Sequence, residues 1–161
     1  MDVRHMNESL ILDPFLASFQ AAFERGDRNV HTKQAESRNV STVLRVYQAI
    51  GAANKEAFLD CCDGDVVLEI VGRPSDPIVG VTAGALRVLV RIVNNFSYFA
   101  DQKPRIESVT AQGDCVVVIG HETGRYVVTN TFYDGYWIQE FHLREGKILH
   151  IRQLSSFLKP W

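Results

Sequence analysis

The chain has 161 residues, 46% apolar and 22% charged, with a formal net charge of −2. These are the proportions of one folded domain with a real core, and they exclude a disordered or fibrous chain. No basic stripe could neutralise a phosphate backbone, and apolar runs such as Val116–Ile119 and Val88–Val93 are too short to span a bilayer, so neither a nucleic-acid nor a membrane partner is expected.

Met1-Asp2-Val3-Arg4-His5 holds no apolar signal-peptide core. The cysteines, Cys61, Cys62 and Cys115, match neither a disulfide framework nor a zinc spacing. Reduced thiols and a cytoplasmic setting are the expectation. Asp13-Pro14 opens the first helix, with Phe15, Phe19, Ala22 and Phe23 at helical spacing and Gly26 at its end. This aromatic stripe is expected to pack on the domain or on a partner subunit. Asp27 to Arg38 is polar and aperiodic, so residues 1–38 read as an N-terminal helical appendage and linker, and residues 39–161 as the main domain.

Ser41 is the expected cap of the next helix, where Val43, Leu44, Tyr47 and Ile50 share a face. Asn54 starts a short third helix. The turn Asp63-Gly64-Asp65 leads into a β-branched strand, Val66–Val71, and the prolines of Gly72–Pro77 rule out helix there. Thr82 is the expected cap of a longer helix, with Leu86, Leu89, Val90 and Val93 buried and Arg87 and Arg91 solvated. From Pro104 onward the pattern is that of strands: Arg105–Ala111, Cys115–Thr123, Tyr136–Leu143 and Lys147–Ser156. Helices first, then a meander, is an α+β arrangement with helices on one face of a sheet.

A three-residue loop, Arg144-Glu145-Gly146, would pair Phe141 with Leu149, Gln139 with Ile151, and Trp137 with Gln153. One face then holds Trp137, Gln139, Phe141, Leu143, Leu149, Ile151, Gln153 and Ser155. The other holds Tyr136, Ile138, Glu140, His142, Ile148, His150, Arg152 and Leu154, with Glu140 opposite His150. That mixed surface suits a second copy of the sheet, so a homodimer through the sheet is expected.

The helix Val43-Leu44-Arg45-Val46-Tyr47-Gln48-Ala49, the turn Gly80-Val81-Thr82-Ala83-Gly84 and the stretch from Trp137 to Ile148 carry a resemblance. With them the chain, from Ser41 to Phe157, resembles the nuclear transport factor 2-like superfamily, and within it the SnoaL-like polyketide cyclases and ketosteroid isomerases. The resemblance implies an α+β fold: a cone-shaped, curved, mostly antiparallel sheet with helices packed on its concave face, enclosing an apolar pocket. It implies that Tyr47 stands where the isomerases place their helix tyrosine, and Gln139 where they place the acid of the oxyanion hole. A glutamine amide can donate a hydrogen bond there. Ile70 stands at the position of the isomerases' base and cannot take a proton. Asp76-Pro77 is similar to the family's Asp-Pro pair but lies several residues later, where it is the best available base or a turn initiator. Gln153, Ser155 and Ser156 occupy a stretch that is often acidic in SnoaL-like members.

The candidate catalytic residues are therefore Tyr47, Asp76 and Gln139, and the candidate ligand-binding residues Ile70, Trp137, Phe141, Ile151, Gln153 and Ser155. Each has a plainer reading. Tyr47 can be a core tyrosine, and the two inward amides can satisfy each other. His121 and Glu122 are strand neighbours that point to opposite faces and cannot act as a simple pair. No histidine pair has helical metal-binding spacing, and no nucleophile elbow, P-loop or dinucleotide fingerprint occurs, so neither metal nor cofactor is expected. Arg125 to Asp134, with Tyr126, Phe132 and Tyr133, reads either as a lid over the pocket or as continued strand. Two functions remain: an isomerase, cyclase or hydrolase of a small apolar substrate using acid–base chemistry without a cofactor, or a non-catalytic small-molecule-binding or protein-interaction module.

Overall fold

The computed structural model describes residues 14–18, 21 and 34–156. After a helical turn at 14–18 come helices α1 (Gln34–Gly51) and α2 (Lys55–Cys61), then β1 (Cys62–Val71), β2 (Gly80–Ala83), helix α3 (Ala85–Phe96), and the strands β3 (Phe99–Gln112), β4 (Cys115–Tyr126), β5 (Phe132–Arg144) and β6 (Lys147–Ser155). The strands form one unclosed six-stranded sheet in the order β2-β1-β6-β5-β4-β3. Every neighbouring pair is antiparallel except β1 with β6. Register shifts interrupt the β1–β6, β3–β4 and β5–β6 ladders, and such bulges bend and twist a sheet. The α+β architecture is thus the expected one. Among the described residues no helix is long and apolar enough to cross a membrane.

Alternation sets what faces inward. On β4, Val116, Val118, Gly120, Glu122 and Gly124 are buried while their neighbours are only partly so. The ladders align Leu68, Ile151, Phe141 and Val116 in one inward row, Ile70, Gln153, Gln139 and Val118 in the next, and Ser155, Trp137, Gly120 and Ile106 in a third. Val43, Val46, Tyr47 and Ala49 of α1 join these rows in a single core. Gly120 is required by a close approach: a Cβ there would lie 2.1 Å from Trp137 Cζ2.

Several local expectations are corrected. α1 begins at Gln34 rather than at Ser41, which lies exposed in mid-helix. The polar first turns are fixed by tertiary bonds: Gly113 N–H donates to Glu36 Oε1 (2.8 Å) and Asn39 Nδ2 donates to the Gly113 carbonyl (3.0 Å). Residues 34–38, expected in the linker, are therefore helical. Thr82 lies in β2, and Gly84 at φ 94° is the N-cap of α3, with no side-chain cap bond. The α3 face is also rotated. Ala85 and Val88 are buried, whereas Leu86, Val90 and Val93 are 51%, 50% and 43% exposed. Arg91 donates to the carbonyls of Pro77 and Val79, tying the helix to the preceding loop.

The terminal hairpin turns through two residues, Glu145 (φ 53°) and Gly146 (φ 77°), with Arg144 opposite Lys147 and Leu143 opposite Ile148. A register shift just beyond, at Leu149, then places His142 opposite His150, Phe141 opposite Ile151, Gln139 opposite Gln153 and Trp137 opposite Ser155. The bulge keeps the expected inward set, except that Ile148 rather than Leu149 is fully buried. Glu140 faces Arg152, not His150. The Asn54 cap stands as expected, accepting from Ala57 N–H at 3.0 Å. Cys61 and Cys62 are buried free thiols, and Cys115 is partly buried and also free. Of the two readings of Arg125 to Asp134, continued strand is the one found: β4 and β5 run through it, leaving a short turn between Tyr126 and Phe132. Asp13, Phe19, Ala22, Phe23 and Gly26 lie outside the described residues.

Candidate functional site

Tyr47 leaves α1 toward the concave side of the sheet, held edge-on between Phe15 (centroids 5.2 Å) and Phe141 (6.0 Å). Its hydroxyl donates to Gln139 Oε1 at 2.5 Å. Gln139 Nε2 donates to Gln153 Oε1 at 2.9 Å, and Gln153 Nε2 to Ser155 Oγ at 3.3 Å. The register explains this chain, because Gln139 and Gln153 are direct cross-strand partners. Four of the candidate residues are thus one directional relay of neutral donors and acceptors. Burial holds the Tyr47 phenol well above its ordinary pKa, so it stays a neutral donor. Ile70 borders the relay, paired with Gln153 across β1 and β6.

Trp137 lies in the adjacent row, 5% exposed, and its buried indole Nε1 has no hydrogen-bond partner among the described residues. A buried orphan donor costs about 1–3 kcal/mol, so its retention asks for a reason. Phe15 is tilted against the same indole (6.4 Å) and is 8% exposed. Ser18 holds that segment in place: its Oγ accepts from Ile106 N–H (2.7 Å) and donates to the Phe15 carbonyl (2.6 Å). The N-terminal segment therefore lays an aromatic ring over Tyr47 and Trp137 together.

A second polar cluster was not among the candidates. Glu122 faces inward two residues beyond Gly120 and is 8% exposed. Its Oε1 accepts from the Tyr133 hydroxyl and from Gln102 Nε2 (2.9 Å). Burial pushes the carboxyl above its ordinary pKa, opposed by those two hydrogen bonds and by nearby His121. Burial, then the Glu122 charge, pushes the Tyr133 phenol up as well. The Tyr133 ring packs with those of Phe99 and Tyr126, the three centroids lying 5.0–5.6 Å apart. The alternation Val116, Val118, Gly120, Glu122 was the available signal. It points the glutamate into the core, and reading it only as a neighbour of His121 obscured this.

Asp76 does not join either cluster. It sits in the loop before β2, where its N–H donates to the Arg73 carbonyl (2.9 Å), its carbonyl accepts from Val79 N–H (3.1 Å), and Ile78 N–H bonds its carboxyl. Its bonds are those of a turn residue, although burial still raises its pKa. A groove of about 350 Å³ lies between α1 and α2, lined by Arg45, Gln48, Asn54, Asp60 and Cys61 among others, and shares no residue with either cluster.

Residues 43–151 match the family model described as SnoaL-like domain. Among solved structures, the fold is similar to that of an NTF2-like protein from Burkholderia xenovorans LB400, at 24% identity and TM-score 0.68 over 78% of this chain and 95% of that one. It is similar to a candidate SnoaL-like polyketide cyclase from Jannaschia sp. CCS1, at 19% identity and TM-score 0.68 over 81% and 93%. IdmH, a candidate polyketide cyclase from Streptomyces antibioticus, matches at 16% identity and TM-score 0.58 over 73% and 91%. At these identities the likeness is one of fold. None of the curated proteins matches the chain.

Proposed function

The chain belongs to the SnoaL-like domain family, and from that premise we propose that its concave face holds a small, largely apolar molecule by an acceptor oxygen and rearranges or hydrolyses it by acid–base chemistry without a bound cofactor. The observation that carries this is the orphan Trp137 Nε1 beside the Tyr47–Gln139 pair. A carbonyl or phenol oxygen would satisfy that donor, and the Tyr47 hydroxyl would polarise it by turning its single proton from Gln139 Oε1 to the bound oxygen. Glu122 replaces Asp76 as the proton carrier in this reading, because burial raises its carboxyl above the ordinary glutamate range and it faces the concave side. Isomerisation, cyclisation and hydrolysis all fit this division of labour. A binding module without turnover is the second reading, favoured by Ile70 where a base would stand.

The proposal extends to a homodimer in the cytoplasm. Val71, Leu154 and Ile138 align in register on the outer face, each exposed, with Tyr136 beside them. A second copy of the sheet would cover this row.

The test titrates flat aromatic ketones and quinones into the protein by calorimetry, a readout that does not depend on the indole. Saturable binding is expected, weakened roughly tenfold in Trp137→Phe and tightened in Phe15→Ala, which uncovers the ring. Turnover of a bound probe that is lost in Glu122→Gln with affinity retained supports the enzyme. Binding without turnover in the unsubstituted protein leaves the module. No saturable binding even in Phe15→Ala sinks both.

A further inference from the structure

The outer face of the sheet carries a donor set that the concave site does not use. Cys115 of β4 is directly opposite His142 of β5, and Glu140, two residues before His142, projects to the same side. The Cys115 Sγ, a Glu140 carboxylate oxygen and a His142 ring nitrogen lie within 4.8 Å of one another. Glu140 Oε1 and His142 Nε2 already face each other at 2.6 Å. A tetrahedral zinc-class ion, with bonds of about 2.0 Å to nitrogen and oxygen and about 2.3 Å to sulfur, holds its ligand atoms roughly 3.3–3.7 Å apart. Small side-chain rotations would bring the three atoms to that spacing on a fixed backbone.

We propose that Cys115, Glu140 and His142 form a three-ligand site for a divalent transition ion of the zinc class, with its fourth position open to solvent. One sulfur, one imidazole and one carboxylate make a borderline-soft set that suits zinc and excludes magnesium or calcium. A plain ion pair accounts for Glu140 with His142, but at their exposure it contributes little and gives the thiol no role. A dication answers both points, since it would draw the Cys115 sulfur and the Glu140–His142 pair onto one centre. The His150 ring stacks on His142 at 6.1 Å and 20°. The donors come from two adjacent strands, so no spacing in the sequence announces them. The site is on the face opposite the small-molecule cluster and stands or falls without it.

The experiment strips the full chain with a chelator and titrates Zn²⁺ by calorimetry, with Co²⁺ as a spectroscopic substitute. The expected result is one Zn²⁺ per chain bound more tightly than about 10 μM, and a thiolate-to-cobalt charge-transfer band. Cys115→Ser and His142→Ala should each weaken binding by more than about tenfold, and Cys115→Ser should abolish the band. Glu140→Gln, a near-isosteric change at a partly exposed position, should also weaken it. Binding weaker than about 10 μM in the unsubstituted chain overturns the proposal, and so does unchanged affinity in the Cys115 and His142 variants.

Discussion

Two polar clusters share the concave face and differ in what they can do with a proton. The relay from Tyr47 through Gln139 and Gln153 to Ser155 is built from neutral groups, each donating to the next. The cluster of Gln102, Glu122 and Tyr133 instead converges two donors on one ionisable carboxyl. They are separated along the sheet by four residues of β4, Val118 to Glu122, or about 13 Å. Trp137 and Gly120 stand between them. A neutral relay can orient and polarise an oxygen but has no proton to give up near neutral pH. The buried carboxyl of Glu122 is ionisable, and burial raises its pKa. In the proposed function, one end of the face recognises and the other transfers a proton, and the indole N–H of the tryptophan between them has no hydrogen-bond partner among the described residues.

The largest expected effect breaks the partition itself. Gly120→Ala puts a Cβ 2.1 Å from Trp137 Cζ2 and closer than 3 Å to two further indole carbons. The ring is buried between Phe15 and the sheet, so relief requires displacing it. Urea unfolding should show a loss of about 3 kcal/mol, typical of overpacking in a tight core. A loss below about 0.5 kcal/mol would mean the indole swings aside freely, and the two clusters would then not be held apart by rigid packing.

Removing one hydroxyl from each cluster sharpens the contrast. Tyr133→Phe deletes a donor to a carboxylate, and should cost about 2 kcal/mol at high pH, falling toward about 1 kcal/mol as Glu122 protonates. Tyr47→Phe deletes a donor to a neutral amide and should cost about 1 kcal/mol, with no dependence on pH between the two conditions. Denaturant melts of both variants at two pH values decide it. Equal, pH-independent losses would mean that Glu122 is not the charged partner of Tyr133.

Much of this was legible in the sequence, for reasons that differ by element. The inward residues of β5 and β6 followed from alternation, but a loop one residue too long set Gln139 opposite Ile151, and the bond between the two amides stood only as one alternative. The bulge at Leu149 compensated for the shorter turn, and no pattern in Lys147–His150 marks a bulge. The start of α1 was hidden because its first turns are polar and held by Glu36 and Asn39 on a distant turn, so hydrophobic period had nothing to read. On α3, apolar residues occupy more than one face, and the buried one was chosen wrongly. Asp76 was singled out for its proline neighbour. Glu122 was passed over because its neighbour His121 was considered before its strand face was.

The smallest expected effect bears on Glu122 and turns on its sign. Burial raises its folded-state pKa above the ordinary glutamate value that holds in the unfolded chain. Between those two values the folded protein binds the proton more tightly, so stability contributed by this group is complete at low pH and declines as pH rises through the raised pKa. Glutamine keeps the carbonyl that Tyr133 and Gln102 donate to, and it cannot ionise. Glu122→Gln should therefore match the unsubstituted protein at low pH and become the more stable of the two as pH rises, as read from thermal melts across that window. The opposite slope, with the glutamate form gaining on the variant as pH rises, would mean that the two hydrogen bonds outweigh burial. Glu122 would then be a permanently ionised structural acceptor, and the division between a recognising cluster and a proton-carrying one would be lost.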